Sequence, residues 1–250
     1  MTVAAATWFS AGLAQVAVDD AWLDPVLADR LARMRYTKRL VEARLGRWTA
    51  KQALAQALGL PTDLRSLADV VVLNASDGAP EAYVAGEPAG VVIAMTDRAD
   101  WAVSVVLAGP TRVGCDLEIV EPRSAAFVRD YFTPPEHSLV AAGDHDLMAN
   151  LIWSAKESAL KVLRTGLRRD TRTVEVDLDP ATGAEPSTWR PLTVTATEGS
   201  AMPGWWIRYG EFVLTLCAAV PTDPPLSLEE PPALATAQPS HTWMDQPYVG

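Results

Sequence analysis

The chain has few cysteines, a deficit of positive charge and no long apolar run, and each shortage argues against one class of protein. Its two cysteines, Cys115 and Cys217, are too few for a disulfide framework and have no metal-binding spacing. No apolar run is long enough to cross a bilayer. Acidic residues number 31 and basic ones 21, and the resulting net charge of -10 argues against a nucleic-acid-binding protein.

Apolar residues make up 49% of the 250 positions, which is enough to bury a core in one large domain or two small ones. Residues 1–14 lack a basic stretch ahead of their apolar positions, so we expect no signal peptide. Two reduced thiols are then expected in a cytoplasmic protein.

Positive charge is concentrated in one segment of this acidic chain. Between residues 30 and 51 the only acid is Glu42, and the basic residues are Arg30, Arg33, Arg35, Lys38, Arg39, Arg44, Arg47 and Lys51. A local cationic patch of this kind indicates a small anionic ligand rather than a long polyanion.

Turn residues and apolar periodicity predict an α/β architecture of the α+β kind. The predicted helices cover residues 24–59 (broken or bent near Gly46), 124–131, a segment entered at Thr133, and 144–163, the most regular amphipathic pattern in the chain. The predicted strands cover residues 7–18, 67–73, 91–95, 101–107, 111–120, 174–178, 192–196, 205–209 and 212–220.

These elements divide the chain into three predicted regions. Residues 1–109 and 110–222 each have a helix-rich and a strand-rich part, which is compatible with two similar α+β subdomains related by an approximate internal duplication. Residues 223–250 are rich in proline, and we expect them to form a flexible tail without regular structure.

Two short motifs carry the chemistry. Residues 114–118 (GCDLE) place Asp116 and Glu118 at alternate positions of a predicted strand, so both carboxylates point to one face. In residues 153–161 (WSAKESALK), Glu157 and Lys161 lie one helical turn apart. Three carboxylates that converge with a lysine can hold a hard divalent cation such as Mg²⁺ against a phosphate ester.

Each motif also has an ordinary structural interpretation. An acid pair on an exposed strand is usually solvated surface, and Glu157 with Lys161 forms the common i,i+4 salt pair of a helix. Short motifs discriminate weakly when taken one at a time. Their joint occurrence in this order is much more specific.

Together the two motifs resemble the signatures of the 4′-phosphopantetheinyl transferases, specifically the large surfactin-synthetase-activating (Sfp) type. The first signature is Gly-x-Asp-x-Glu. The second is an aromatic residue and a small residue, then Lys-Glu and a final Lys, and both are complete here. Residues 132–136 (FTPPE) are similar to the family's Phe-x-x-x-Glu segment. The resemblance covers residues 91–220 well and the N-terminal part more loosely.

The resemblance implies a pseudo-two-fold pair of subdomains with coenzyme A in the cleft between them. The implied enzyme moves the phosphopantetheine arm of coenzyme A onto a serine of an acyl or peptidyl carrier protein and releases adenosine 3′,5′-bisphosphate. It also implies a cytoplasmic monomer without nucleic-acid or membrane partners, and it favours secondary metabolism. Residues 125–150 are the implied carrier-docking region.

The resemblance also implies roles for individual residues. Asp116, Glu118 and Glu157 would hold Mg²⁺, and Lys161 would neutralise the leaving phosphate. Glu157 is the first choice of base, directly or through a metal-bound water, and Glu136 is either an alternative base or a structural acid that caps its helix. The remaining residues expected at the coenzyme A phosphates are Lys38, Arg39, Arg44, Arg47, Thr96, Arg98 and Lys156. The basic residues Arg164, Arg168 and Arg169 are expected at the surface or facing the carrier.

One departure from the family pattern concerns the end of the strand at residues 94–98 (AMTDR). Asp97 stands where the family has a phosphate-binding histidine. A carboxylate would repel a phosphate, so our hypothesis is that Arg98 takes over this contact, with Thr96 supplying a hydrogen bond. Alternatively, Asp97 is a surface residue and the nucleotide sits differently. Asp97 is also the one sequence feature that favours an alternative function, a catalytically weakened carrier-binding scaffold of the same fold. A further alternative is an unrelated Mg²⁺-dependent phosphohydrolase that uses the same acids.

Overall fold

The computed structural model describes residues 5–178 and 187–242 as a mixed α+β protein, which confirms the predicted fold class. The described helices are α1 (Pro25–Ala32), α2 (Thr37–Ala57), α3 (Leu64–Ala68), α4 (Ala125–Tyr131), α5 (Pro134–Ala142) and α6 (His145–Val162). The described strands are β1 (Ala5–Gly12), β2 (Val70–Asn74), β3 (Pro80–Val84), β4 (Glu87–Pro88), β5 (Val91–Arg98), β6 (Trp101–Ala108), β7 (Val113–Ile119), β8 (Val174–Leu178), β9 (Arg190–Ala196), β10 (Ala201–Tyr209), β11 (Phe212–Ala218) and β12 (Asp223–Ser227).

The described strands form three sheets. The first has the order β12-β1-β6-β5, the second β7-β11-β10-β9-β8 and the third β2-β3-β4. The second sheet is antiparallel throughout, whereas β12 joins β1 in parallel. Strands β5 and β7 stand at the facing edges of the two larger sheets, where the Thr96 hydroxyl accepts a hydrogen bond from the Leu117 N–H. This junction brings the two predicted signature regions together.

The two long helices each pack one face on a sheet. Helix α2 covers the first sheet over a core that contains Leu45 and Leu54, and α6 covers the second over a core that contains Leu151 and Leu160. A third cluster, with Trp8 and Leu214 among its members, joins the inner faces of the two sheets. Both halves contain a strand, then three helices of which one is long, and then antiparallel strands, in that order. Whether a two-fold axis relates them stays a prediction, as does the boundary near residue 109.

Local capping residues explain where several helices begin. The Asp24 side chain accepts the Leu27 N–H at the start of α1, with Pro25 in the first turn. Ser124 caps α4 and Asp144 caps α6, close to the predicted starts of these helices. The Glu136 carboxylate accepts the Thr133 N–H at the entry of α5, as the sequence pattern indicates.

The predicted helix over residues 24–59 is wrong as a single element. The structure has two helices, separated at residues 33–36, and α2 runs through Gly46 without a break. A Cβ at Gly46 would lie 3.6 Å from the Met95 side chain, an ordinary van der Waals contact, so close packing does not require glycine at this position. Strand β1 also ends at Gly12, six residues before the predicted end.

The prediction of a flexible tail without regular structure does not fit the tail residues that the structure describes. Strand β12 pairs with β1, and a 3₁₀ turn follows at Ala233–Thr236. Leu234 is buried, and its N–H donates to the Ser10 hydroxyl. Proline is tolerated in β12 because that strand lies at a sheet edge, where a missing N–H costs little. Residues 243–250 lie outside the described residues.

Candidate active site

Strand β7 presents its two acids on the face opposite its core residues. Cys115 and Leu117 are buried in the cluster between the sheets, and Asp116 and Glu118 alternate with them. Burial raises the pKa of the Cys115 thiol to about 12, so it stays protonated and packs as an apolar residue. Cys115 therefore has the core position that the alternation predicts.

Gly114 explains why helix α6 can lie directly against this strand. A Cβ at this position would stand 2.1 Å from the Ser158 carbonyl oxygen and 2.9 Å from the Lys161 Cβ. On the same helix face, the Ser154 hydroxyl donates to the Asp116 carbonyl at 3.0 Å. The close approach of strand and helix places Glu157 and Lys161 of α6 beside the acids of β7.

Lys161 and Asp116 form the centre of the site. The Lys161 Nζ donates to Asp116 Oδ1 at 3.0 Å and to the Cys115 carbonyl at 2.7 Å. The Thr96 hydroxyl also donates to Asp116 Oδ1, at 3.1 Å, so an N-terminal-half residue fixes this carboxylate. The other oxygen, Oδ2, is buried and has no hydrogen-bond partner among the residues that the structure describes. An unsatisfied carboxylate oxygen of this kind is costly unless a ligand completes it.

The carboxylates of Glu118 and Glu157 lie close enough to Asp116 to feel its charge. Burial and the Asp116 charge raise the pKa of Glu157 to about 7, although Lys161 opposes the shift. Burial and Asp116 also raise the pKa of Glu118. Crowded carboxylates resist joint ionisation, and a bound cation would relieve that repulsion.

These acids fit a hard divalent cation by their chemistry. Their donors are carboxylate oxygens, which Mg²⁺ prefers, and the Asp116 Oδ2 needs a partner. Among the described residues, however, no three metal-ligating side chains already converge on one point. Glu118 is instead in contact with two arginines, Arg98 at 3.3 Å and Arg123 at 3.1 Å.

A cavity of about 690 Å³ lies between the two halves and is bordered by Lys161. Its other cationic residues are Arg47, Arg112, Arg164 and Arg168. Two acids also line it, Asp77 and Glu81. The Arg164 Nε contacts Asp77 Oδ2 at 2.6 Å, an ion pair that connects the C-terminal half to the β2–β3 turn of the N-terminal half.

Of the four basic residues predicted for α2, the structure places only Arg47 at this cavity. It donates to the Asn74 side chain and to the Met95 sulfur. Arg44 instead pairs with Asp20 at 2.6 Å and lies over the Trp22 ring. Lys38 and Arg39 are exposed side chains that do not border the cavity.

The sequence motifs did not predict the cationic residues that the C-terminal half contributes to the cavity. Arg164 and Arg168, expected at the surface or facing a carrier, border the cavity, as does Arg112 just before β7. The sequence feature that could have indicated this is the position of these arginines at the two ends of the segment that carries both motifs. Their convergence depends on how the chain turns after α6, where Arg164 takes a positive φ of 61°.

The structure gives Lys156 and Glu136 a structural role. Both side chains are fully buried, and the Lys156 Nζ lies 2.8 Å from Glu136 Oε2. Lys156 also donates to the carbonyls of Thr171 and Val174, so it faces the second sheet rather than a phosphate. Glu136 accepts the N–H groups of Thr133 and Val176. The helix-capping alternative for Glu136 therefore accounts for its contacts, and neither residue is placed to meet a substrate.

Arg98 and Thr96 also differ from the expected phosphate contacts. Arg98 pairs with Glu118 and, at 2.7 Å, with Glu121, and it does not border the cavity. Thr96 uses its hydroxyl on Asp116 and Leu117. Asp97 is exposed and does not border the cavity.

Comparison with known proteins gives one family match. Residues 112–217 match the family model described as the 4′-phosphopantetheinyl transferase superfamily, and the matched segment contains β7 and α6 with the acids that lie on them. No curated protein matches the chain. Among solved structures, the chain is similar to the holo-[acyl-carrier-protein] synthase of Thermotoga maritima, with 20% identity, a TM-score of 0.35, and coverage of 53% of this chain and 76% of that one.

Proposed function

We propose that this chain is a Mg²⁺-dependent phosphopantetheine transferase of the surfactin-synthetase-activating type, since residues 112–217 match the model of the 4′-phosphopantetheinyl transferase superfamily. It moves the 4′-phosphopantetheine of coenzyme A to a serine of an apo acyl or peptidyl carrier protein. The observation that carries the proposal is the contact of Lys161 with Asp116 at the edge of the basic cavity.

In this proposal, the nucleotide end of coenzyme A binds in the cavity. Adenosine 3′,5′-bisphosphate carries several negative charges, and five cationic side chains border the space against two acidic ones, Asp77 and Glu81. Arginine binds phosphate through two parallel N–H groups, so Arg47, Arg164 and Arg168 are suited to the phosphate oxygens. Lys161 joins this cavity to the acids of β7 and would neutralise the leaving phosphate.

Asp116 and Glu157, with Glu118, would hold the Mg²⁺ ion. When bound, the ion neutralises charge on the diphosphate of coenzyme A. The chain's own residues then position the reactants: Thr96 and Lys161 fix Asp116 Oδ1 and leave Oδ2 for the ligand. Positioning and charge neutralisation account for most catalysis in phosphoryl transfer.

Glu157 is the proposed proton acceptor. The serine oxygen of the carrier forms a bond to the phosphorus that bears the pantetheine arm, and the bond from this phosphorus to the bridging oxygen breaks. The serine proton passes to a carboxylate, and adenosine 3′,5′-bisphosphate leaves. Glu157 is suited to this task by its position on α6 beside the acids of β7, where a carboxylate can act as a general base.

The carrier is proposed to dock over residues 125–150, beside the acids. An apolar groove lies there between α4 and α5, lined by Val128, His137, Val140 and Ala141 among others. Since both partners are expected to be acidic, apolar contact rather than charge steering should dominate docking. A monomer that serves secondary metabolism remains part of the proposal.

The test is intact-mass spectrometry of an apo carrier protein after incubation with the enzyme, coenzyme A and Mg²⁺. We expect the carrier to gain one phosphopantetheine, and removal of Mg²⁺ with EDTA to stop the gain. Glu157→Gln should lower the rate at least about 100-fold, the lower range for removing a general base. The matched control, Glu175→Gln on the exposed face of β8, should retain the wild-type rate.

Other outcomes identify the alternatives. Carrier binding without a mass gain would favour the scaffold, and phosphate release without carrier modification would favour the phosphohydrolase. An unchanged rate in folded Glu157→Gln would contradict the proposed role of that carboxylate.

A further inference from the structure

Glu118 is held by two arginines from different parts of the chain. Arg98, at the end of β5, places its Nε 3.3 Å from Glu118 Oε2, and Arg123, in the loop before α4, places its Nη2 3.1 Å from the same oxygen. All three side chains are mostly buried, with 10–17% exposure. Glu118 therefore has two positive partners within the chain itself.

Each arginine is bound more tightly elsewhere. The Arg98 Nη2 lies 2.7 Å from Glu121 Oε1, and Glu121 is only 3% exposed. The Arg123 Nε donates to the Asn150 side chain at 2.7 Å, and Asn150 is itself fixed by donating to the Glu121 carbonyl. Glu118 can therefore leave both arginines without either of them losing its main anchor.

The charges around Glu118 form a balanced group. The carboxylates facing it are Asp116 and Glu121, and the cations are Arg98 and Arg123, each of which affects its ionisation. A divalent cation bound at Asp116 would add two positive charges beside these guanidinium groups. Like charges at this range repel, and in a partly buried site solvent screens the repulsion less than at the surface.

We propose that Arg98 and Arg123 are positioning residues that compete with a divalent cation for Glu118 and so set the cation affinity of the acid site. The inference rests on the proposed function, since it takes the acids of β7 and α6 as the cation site. In the metal-free protein the arginines stabilise Glu118 beside Asp116. When a cation binds, Glu118 exchanges its arginine contacts for the cation, and Glu121 and Asn150 retain the guanidinium groups.

The experiment measures Mn²⁺ binding to the full chain without coenzyme A, by electron paramagnetic resonance of the free ion at pH 8. Arg98→Met removes a competing charge and should tighten Mn²⁺ binding at least about threefold. Glu121→Gln removes the anchor of Arg98, so Arg98 stays on Glu118, and Mn²⁺ binding should weaken at least about threefold. A threefold change in the dissociation constant corresponds to about 0.7 kcal/mol of binding free energy.

Two controls test charge against position. Arg98→Lys keeps the charge, so its Mn²⁺ dissociation constant should stay within about twofold of the wild-type value. Arg33→Met removes an exposed charge that pairs with Asp29 and should leave Mn²⁺ binding unchanged. Thermal unfolding establishes that each variant is folded, and if Glu121→Gln does not fold, the Arg98→Met and Arg98→Lys pair decides the result.

The outcomes separate the inference from the proposed function. The proposed cation site would be overturned if the wild-type protein bound no Mn²⁺, or if Asp116→Asn bound Mn²⁺ with the same affinity as wild type. Wild-type binding that is lost in Asp116→Asn but unchanged or weakened in Arg98→Met would overturn the competition alone. A merely structural role for Arg98 predicts that weakening, whereas competition predicts the opposite sign.

Discussion

At the scale of single residues, the site depends on a glycine as much as on its acids. Gly114 has no side chain where a Cβ would collide with the Ser158 carbonyl of α6. Without this contact distance, Lys161 could not reach both Asp116 and the Cys115 carbonyl. The first position of the acidic motif is thus a packing requirement that serves the chemistry two residues later.

Gly114→Ala should destabilise the fold and impair the site together. Overpacking of this kind costs about 1–3 kcal/mol, and the collision is with the Ser158 backbone, which cannot rotate away. The matched control is Gly46→Ala in α2, where the added Cβ meets only Met95 at 3.6 Å and alanine should stabilise the helix by about 0.5–1 kcal/mol. Urea unfolding of both variants measures the difference, and equal stabilities would contradict this account of Gly114.

The residue scale also shows what a motif can predict. Strand alternation was sufficient to put Asp116 and Glu118 on one face and Cys115 in the core, since a period of two needs no tertiary information. The partners of Arg98 could not be predicted in this way. Glu118 and Glu121 lie on or just after a different strand, and only the junction of β5 and β7 brings them to Arg98.

At the scale of elements, the two long helices share one device. Lys51 of α2 is fully buried, pairs with the α1 cap Asp24 at 2.8 Å, and donates to two carbonyls. Lys156 of α6 does the same with Glu136 of α5. Each pair fixes a long helix to the helix before it and to the segment after it.

This device explains why the expected role of Lys156 was wrong. Its position 100° around the helix from Glu157 is compatible with either the cavity or the sheet, and the sequence motif alone favoured the phosphate. The decisive factor is that α6 buries this face against the segment that enters β8. A buried lysine needs an acid and carbonyl acceptors, and Glu136, Thr171 and Val174 supply them.

Lys156→Met should therefore cost stability rather than substrate affinity. Removing one partner leaves Glu136 charged and buried, and such losses are about 3–5 kcal/mol. The double variant Lys156→Met/Glu136→Gln should recover part of this loss, because the remaining amide is neutral and keeps an oxygen for the Thr133 N–H, whereas the Val176 N–H loses its acceptor. Denaturant unfolding measures the cycle. A large rise in the KM for coenzyme A with unchanged stability would instead support the phosphate contact.

At the scale of the whole molecule, the proposed active site belongs to both halves. Arg47 comes from α2, Lys161 from α6, and the ion pair of Arg164 with Asp77 crosses between them. The family model covers only residues 112–217, so the N-terminal wall of the cavity lies outside the matched segment. In the described part of the chain, no helix is long and apolar enough to span a membrane.

The tail has a place in this arrangement that proline content did not predict. Strand β12 lies beside β1, and Leu234 and Ala237 enter the cluster that joins the two sheets. The Trp101 indole N–H also donates to the Gln238 carbonyl at 2.9 Å. Composition describes local flexibility, whereas these contacts depend on an open sheet edge more than 200 positions earlier in the chain, at β1.

Leu234→Ala should consequently destabilise the joined core. Truncating a fully buried leucine costs about 2–5 kcal/mol through lost burial and the cavity left behind. Leu226→Ala is the matched control in the same tail, because Leu226 is 59% exposed and Leu234 is 1% exposed. Surface changes of that kind stay within about 0.5 kcal/mol. Urea midpoints and coenzyme A binding are measured for both. If Leu234→Ala unfolds at the same midpoint as Leu226→Ala, the tail does not hold the two halves, and its contacts add nothing to the stability on which the cavity between them depends.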